Sequence, residues 1–571
     1  MPAYTESPYP LDLGPLGHIT GLTLTPTTTT TSSSTSSTSS TSSSSTPACH
    51  YIGGLPYAQP PRKCFQRARA LPPHHRYTGT YTGATALCPQ PGYSPYSHTN
   101  PPTKEARRQW SEGCFQLNMW IPASAPDQKR PQAGWPVFVF LHGGWLQFGT
   151  ANTAPAVLAG LLGEAGLGAV VVMPAYRVNA FGFLASAELQ SEAEAEAEAE
   201  MGKEATVGNL GFWDQRLALE WVGKNIGRFG GDAERITVGG YSAGAHSTFQ
   251  QLAHDLYLPS SQSLIKRAIM WSNGPGVQPK PLSSHQTQFN ELLSSLSIPL
   301  SLSPTEKLTR LRAVPLDDLI RVQDTLSNSE FRALSDGVFV NENLIADINS
   351  GRFAAMMRER NVRVLNGECE AEHAVYGSWR PPQNNTYDAC QHRLAADYPL
   401  PGVQKLMRFL CPQGKLPKGT KDWTEAFGHL YAAMQVHSLE RGFVAALARG
   451  GCEIGTDVLR YRIEWRARCC DAMFPREWGV THGTDMAIWF WGNGWADGLT
   501  EDEKRVVGEL QGVFGRFVRG EEVEWRRGER WVRRLRGDGG MDWWEDERWE
   551  EGVRVWELVN PVLEEKESAK L

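Results

Sequence analysis

Short apolar runs alternate with helix-patterned stretches along most of this chain. The runs are WPVFVFL at 135–141, AVVVMPAY at 169–176, RITVGG at 235–240, IKRAIMW at 265–271 and NVRVLNG at 361–367. They are strand length, and apolar residues follow one another instead of alternating, as in parallel strands covered on both faces. Between two of them, Ala218, Val222 and Ile226 recur at four-residue steps with Leu217 and Trp221 beside them, and the pattern stops at Gly230-Gly231. The spacing predicts a helix from Asp214 to Phe229 that feeds the RITVGG strand. This rhythm predicts an α/β protein with a large, mostly parallel central sheet flanked by helices.

Two stretches break the rhythm. Residues 27–46 are wholly Ser and Thr and cannot bury apolar surface. Strand-like patterns flank them, LGHITGLTL before and CHYIGGLPYAQPP after, so they read as an insertion and not as a tail. Glu and Ala alternate from Glu192 to Met201, a helix former that is acidic on every face, and 188–206 is expected to be a solvated excursion. Both inserts are expected to be dispensable, within one domain spanning 11–565.

Composition narrows the function classes. With 41% hydrophobic and 21% charged residues in 571, the chain can build a large core. A formal net charge of −6 gives no case for a nucleic-acid partner. The six tryptophans between Glu521 and Trp556 do not change this, because acidic residues accompany the arginines around them and leave no basic stripe. No apolar run reaches the length of a membrane span. The N-terminus carries neither the basic start nor the apolar stretch of a secretory signal, so a cytoplasmic location is expected, with secretion the alternative if the start lies further upstream. Ten cysteines without CxxC or CxxH spacing suggest neither a disulfide scaffold nor a zinc site.

The strongest chemical signal is Gly240-Tyr241-Ser242-Ala243-Gly244, a GxSxG placed between a predicted strand and a predicted helix. A turn this tight needs small residues around the serine and projects its hydroxyl out of the sheet. Acyl transfer also needs backbone N–H groups preset for the tetrahedral oxyanion. His142-Gly143-Gly144-Trp145, directly after WPVFVFL, offers Gly144 and Trp145, and Ala243 at the start of the following helix adds a third.

With these motifs the sequence resembles the type-B carboxylesterases, the cholinesterase-like branch of the α/β-hydrolases. The likeness extends through GLPYAQPP (54–61), LCPQ (87–90), SEGCFQLNMWIP (111–122), YRVNAFGFL (176–184), GNLGFWDQRLALEWVGKNI (208–226) and FGGD (229–232). It implies an α/β-hydrolase fold whose active-site gorge is covered by loop and helical insertions, partly from 283–340. It also implies a later acid and a later histidine. In Gly367-Glu368-Cys369-Glu370-Ala371-Glu372-His373, the family's acid stands five residues beyond the glycine, which selects Glu372, with Glu370 as runner-up and Glu368 as a solvated neighbour. GVTHGTDMAIWF (479–490) resembles the family's histidine loop and selects His482. The expected activity is serine-dependent hydrolysis of a small-molecule carboxylic ester, with water as co-substrate and neither metal nor cofactor.

Some positions depart from the family. Tyr241 stands where a Glu commonly precedes the nucleophile, and no tryptophan matches the choline-binding one, so choline esters are disfavoured. Trp145 replaces a small residue and narrows the acyl side toward short or planar groups. Cys88 and Cys114 fall where the family forms a disulfide, whereas an intracellular location would keep them as thiols, which is the expectation. Arg177 and Asp214 resemble a structural ion pair. The rival functions are a non-catalytic binding or scaffold protein on the same fold and an amide or lactone hydrolase using the same residues. Oligomeric state is open.

Overall fold

The computed structural model describes residues 4–27, 46–92, 102–124, 129–199, 205, 207–492 and 494–561. Their strands form one thirteen-stranded sheet and a separate two-stranded one. In spatial order the main sheet runs Tyr4–Asp12, Gly17–Pro26, Cys49–Pro56, Gln116–Pro122, Val170–Pro174, Trp135–Leu141, Gly231–Tyr241, Arg267–Trp271, Arg363–Cys369, Val458–Ile463, Trp531–Leu535 and Met541–Glu545, with Tyr77–Thr80 on the second strand. Pairing is antiparallel over the first five strands and the last two. It is parallel from Val170–Pro174 to Trp531–Leu535. This is the mostly parallel α/β architecture that the apolar runs predict. Because the central strands share one direction, the loops after them gather at one edge, where ligands of such sheets bind.

The continuous apolar runs are used on both faces. Along Trp135–Leu141, Val137, Val139 and Leu141 enter one buried layer while Phe138 and Phe140 enter the other. Ala268 and Met270 against Ile269 and Trp271 repeat the division two strands away.

The helix predicted over 214–229 spans Leu210–Asn225, and a single tight turn, Ile226–Phe229, carries it to Gly230. It begins earlier than periodicity suggests because the Asn209 side chain exchanges hydrogen bonds with the Leu334 backbone (2.8 and 2.9 Å), a contact distant in sequence. Arg177 and Asp214 form a fully buried two-pronged ion pair (2.7 and 2.8 Å) at the first turns of this helix.

The Ser/Thr segment lies outside the described residues except for 27 and 46, at the ends of neighbouring antiparallel strands. In the Glu/Ala segment, Ala187–Ala199 is helical, and 200–204 and 206 lie outside the described residues. Its acidic residues are not all solvated. Glu192 takes both prongs of Arg312 (2.5 and 3.0 Å) and also Lys63 (3.0 Å), and Glu188 meets Lys307 (2.9 Å). Among the described residues, no helix is long and apolar enough to cross a membrane.

Candidate active site

Ser242 sits between the strand Gly231–Tyr241 and the helix Ala243–Tyr257, with φ 59° and ψ −126°, torsions that a non-glycine residue adopts only at a cost. Its amide donates to the Trp271 carbonyl (2.9 Å), which ties the turn to the next strand. The flanking glycines follow from crowding. A Cβ at Gly244 would lie 2.0 Å from the Leu141 carbonyl oxygen, and one at Gly240 would lie 2.2 Å from that of Gly244.

Glu372 is completely buried, three residues past the end of the strand Arg363–Cys369. Its Oε1 accepts from the Cys369 amide (2.7 Å) and its Oε2 meets His482 Nδ1 at 2.5 Å. His482 is 1% exposed, and its Nε2 has no hydrogen-bond partner among the described residues. Neighbouring backbone bonds hold the two segments in register: the Ala371 amide donates to the Val480 carbonyl (3.0 Å), and the Val375 amide to Thr481 Oγ1 (3.4 Å). Glu370 is exposed. His373 stacks on His429 at 3.8 Å.

The reading of Glu368 as a solvated neighbour is overturned. It is buried, bonded to His437 (2.6 Å), Arg441 (2.8 and 3.1 Å) and Arg462. Burial pushes its pKa up, but Arg441, His437 and Arg462 outweigh that and hold the carboxyl well below its usual range. A count of nearby carboxylates could not see the cations that come from strands and helices late in the chain.

Tyr241 and Tyr376 flank the His482 ring, with ring centroids at 4.7 and 4.5 Å. The Tyr376 hydroxyl donates to the Ser272 carbonyl (3.4 Å), one strand over from Ser242. Burial raises its pKa well above the phenolic range, as does the Glu372 charge, and keeps the hydroxyl protonated. Sequence reading missed Tyr376, although it lies four residues after Glu372, on the same face of the turn that follows.

The loop His142–Trp145 is braced from several sides. The His142 ring stacks on Tyr176 (4.1 Å), and burial lowers its pKa to about 4, so it stays neutral at physiological pH. Gln90 of the LCPQ segment both accepts from the Gly149 amide (2.7 Å) and donates to the Gly149 carbonyl (3.0 Å). The Trp145 carbonyl accepts from Arg332 Nη1, and the Trp145 ring stacks on Trp379 at 4.8 Å. No sequence signal marks Arg332, which arrives from 187 residues away. Among the described residues, no protein acceptor takes the amides of Gly144 and Ala243, and Ala243 opens a fifteen-residue helix whose positive end favours an anion.

A cavity of about 80 Å³ opens onto Ser242, Ala243, Trp145 and Tyr376. Glu372 and His482 are not among its lining residues. Cys88 and Cys114 are buried free cysteines, and the Cys88 thiol donates to the Pro89 carbonyl (3.7 Å) and accepts from the Val178 amide (3.5 Å). Among the described residues, no group of three or more His, Cys, Asp or Glu side chains is arranged to hold a metal.

Comparison with known proteins matches residues 36–534 to the carboxylesterase family. A carboxylic ester hydrolase of Gibberella moniliformis is 46% identical over 567 residues, 98% of this chain and 97% of that protein. An uncharacterized esterase/lipase of Schizosaccharomyces pombe is 35% identical over 90% of this chain and 93% of its own length. Acetylcholinesterase of Bungarus fasciatus is 31% identical over 57% of this chain and 50% of its own.

Proposed function

The chain belongs to the carboxylesterase family and is a carboxylesterase, and from that premise we propose that it works through an acyl-enzyme on Ser242, with His482 as the base and Glu372 as its orienting acid. The observation that carries this reading is the buried 2.5 Å contact from Glu372 to His482 Nδ1, which leaves Nε2 unpartnered on a ring held between Tyr376 and Tyr241, the residue that precedes Ser242. With Nδ1 committed to the carboxylate, Nε2 is the nitrogen that can accept a proton.

In this mechanism His482 takes the Ser242 proton as the oxygen attacks the ester carbonyl, and Glu372 stabilises the imidazolium. The amides of Gly144, Trp145 and Ala243 receive the oxyanion, each such donor contributing about 3 kcal/mol to the barrier reduction. The alcohol leaves with the proton from His482, and water activated by the same imidazole releases the acid. The braced loop supports this role, because Arg332, Gln90 and the Trp379 stack fix it before substrate arrives. The buried thiols of Cys88 and Cys114 favour residence in a reducing compartment.

Hydrolysis of para-nitrophenyl esters from acetate to octanoate, by wild type and Ser242→Ala side by side, tests the reading. Wild type is expected to turn over the short esters best, given a cavity of about 80 Å³. Ser242→Ala is expected to fall by at least about a thousandfold. A folded Ser242→Ala that keeps wild-type turnover refutes the assignment of the nucleophile.

A further inference from the structure

The cavity beside Ser242 has an uneven charge balance. Its charged lining residues are Lys280, Arg332 and Asp397. His246 also lines it, but burial lowers the pKa of that imidazole to about 4, so it is neutral. Asp397 is fully committed, with Oδ1 meeting Arg332 Nε (2.6 Å) and Oδ2 meeting Arg393 (2.8 Å). Arg332 also meets Glu330 (2.7 Å), the Tyr431 hydroxyl (3.3 Å) and the Trp145 carbonyl, so its charge is already balanced by two carboxylates. Lys280 differs: among the described residues no carboxylate lies within ion-pair distance of its ammonium. Two of its three donors go to the carbonyls of Ala395 and Ala396 (2.7 and 2.8 Å), at the C-terminal end of the helix Tyr387–Asp397.

Capping that helix accounts for two donors and for some of the favourable field. It accounts neither for the third donor nor for a cation in the cavity that opens onto the candidate nucleophile. Burial penalises this ammonium and the Asp397 charge offsets that only in part, so an anion beside it recovers the remaining cost. The residue preceding Ser242 is the uncharged Tyr241, so no carboxylate at that position opposes an anionic ligand.

Building on the esterase reading above, we propose that the substrate carries an ionised carboxylate close to its ester bond and that Lys280 is the specificity-determining residue that binds it. The chemical class is a half-ester of a dicarboxylic acid or the ester of a hydroxy acid, depending on which side of the ester bears the charge.

Two pairs of substrates separate these sources: monoethyl against diethyl glutarate for a carboxylate on the acyl side, and acetoxyacetic acid against its ethyl ester for one on the alcohol side. In wild type the charged member of at least one pair is expected to have a kcat/KM at least about tenfold higher, the size of effect a charged hydrogen bond supplies. The ratio is expected to fall to about one in Lys280→Met and to persist in Lys280→Arg. A wild-type ratio of one or below in both pairs overturns the proposal, as does an undiminished ratio in Lys280→Met. Should Lys280→Met fail to fold, inhibition of the wild type answers instead. Glutarate is expected to inhibit competitively where glutaramide does not, and equal inhibition by the two overturns it. Efficient serine-dependent turnover of neutral esters alone would remove this inference and leave the esterase reading intact, whereas no serine-dependent turnover of any ester would remove the reading itself.

Discussion

Asp485, three residues after His482, is completely buried, with Oδ2 accepting from the Trp489 indole (3.0 Å) and Oδ1 unpartnered among the described residues. Burial, reinforced by the Glu372 charge, pushes its pKa from 3.8 up to about 6. The folded protein therefore holds a proton that the unfolded chain releases from about pH 4 upward. The stability that this proton represents is present in full below pH 4 and is lost as pH rises through 6, amounting to about 3 kcal/mol. Asp485→Asn copies the protonated form. Urea denaturation should find the variant level with wild type near pH 4 and more stable by up to that amount at pH 7 to 8, and a gap that does not grow with pH would contradict the assignment. At this scale the sequence was unevenly legible. Ser242, Glu372 and His482 lie in local motifs, so their segments could be found before any packing was known. Arg332 and the cations around Glu368 matter only through neighbours dozens to hundreds of residues away, and no local pattern records them, whereas Tyr376 stands one turn after Glu372.

Strands were more legible than their neighbours, because a strand buried on both faces must be apolar throughout. Helix starts were less so: Asn209 takes a left-handed conformation (φ 50°) that its bonds to Leu334 sustain, and the GNLG segment that contains it does not announce it. The two inserts, alike in low complexity, differ as elements. The helix Ala187–Ala199 is pinned through Glu188 and Glu192, whereas the Ser/Thr segment joins strands already paired at Leu24 and Cys49, with the Ala48 amide donating to the Leu24 carbonyl (2.8 Å). Since the ends it connects are fixed by that ladder, shortening it is expected to act on stability through closure entropy, roughly 0.6 kcal/mol per doubling. Replacing 28–45 by a four-residue glycine-containing turn should raise the thermal midpoint slightly and leave ester turnover intact. A large drop in either would show that the segment contributes contacts of its own.

The candidate site draws on His142–Trp145, Ser242–Ala243, Glu372–Tyr376 and His482, segments that follow four different strands of one sheet. Two apolar layers cover opposite faces of that sheet, and alternate residues of the same strands belong to each, so neither layer can dissolve while the other keeps its strands. We therefore expect the chain to behave as one unit despite a length that averages would divide into roughly four domains. The 2.5 Å contact between Glu372 and His482 joins residues 110 apart, and the loop His142–Trp145, proposed to hold oxyanion donors, is braced by Arg332 across 187, so the candidate site exists only while the sheet is closed. Loss of ester turnover and loss of far-ultraviolet circular dichroism should then share one urea midpoint, and the calorimetric and van't Hoff enthalpies should agree. A first transition that abolishes turnover while most of the dichroism survives would mean that the cover over the cavity unfolds separately from the sheet, and that the chain is two cooperative units.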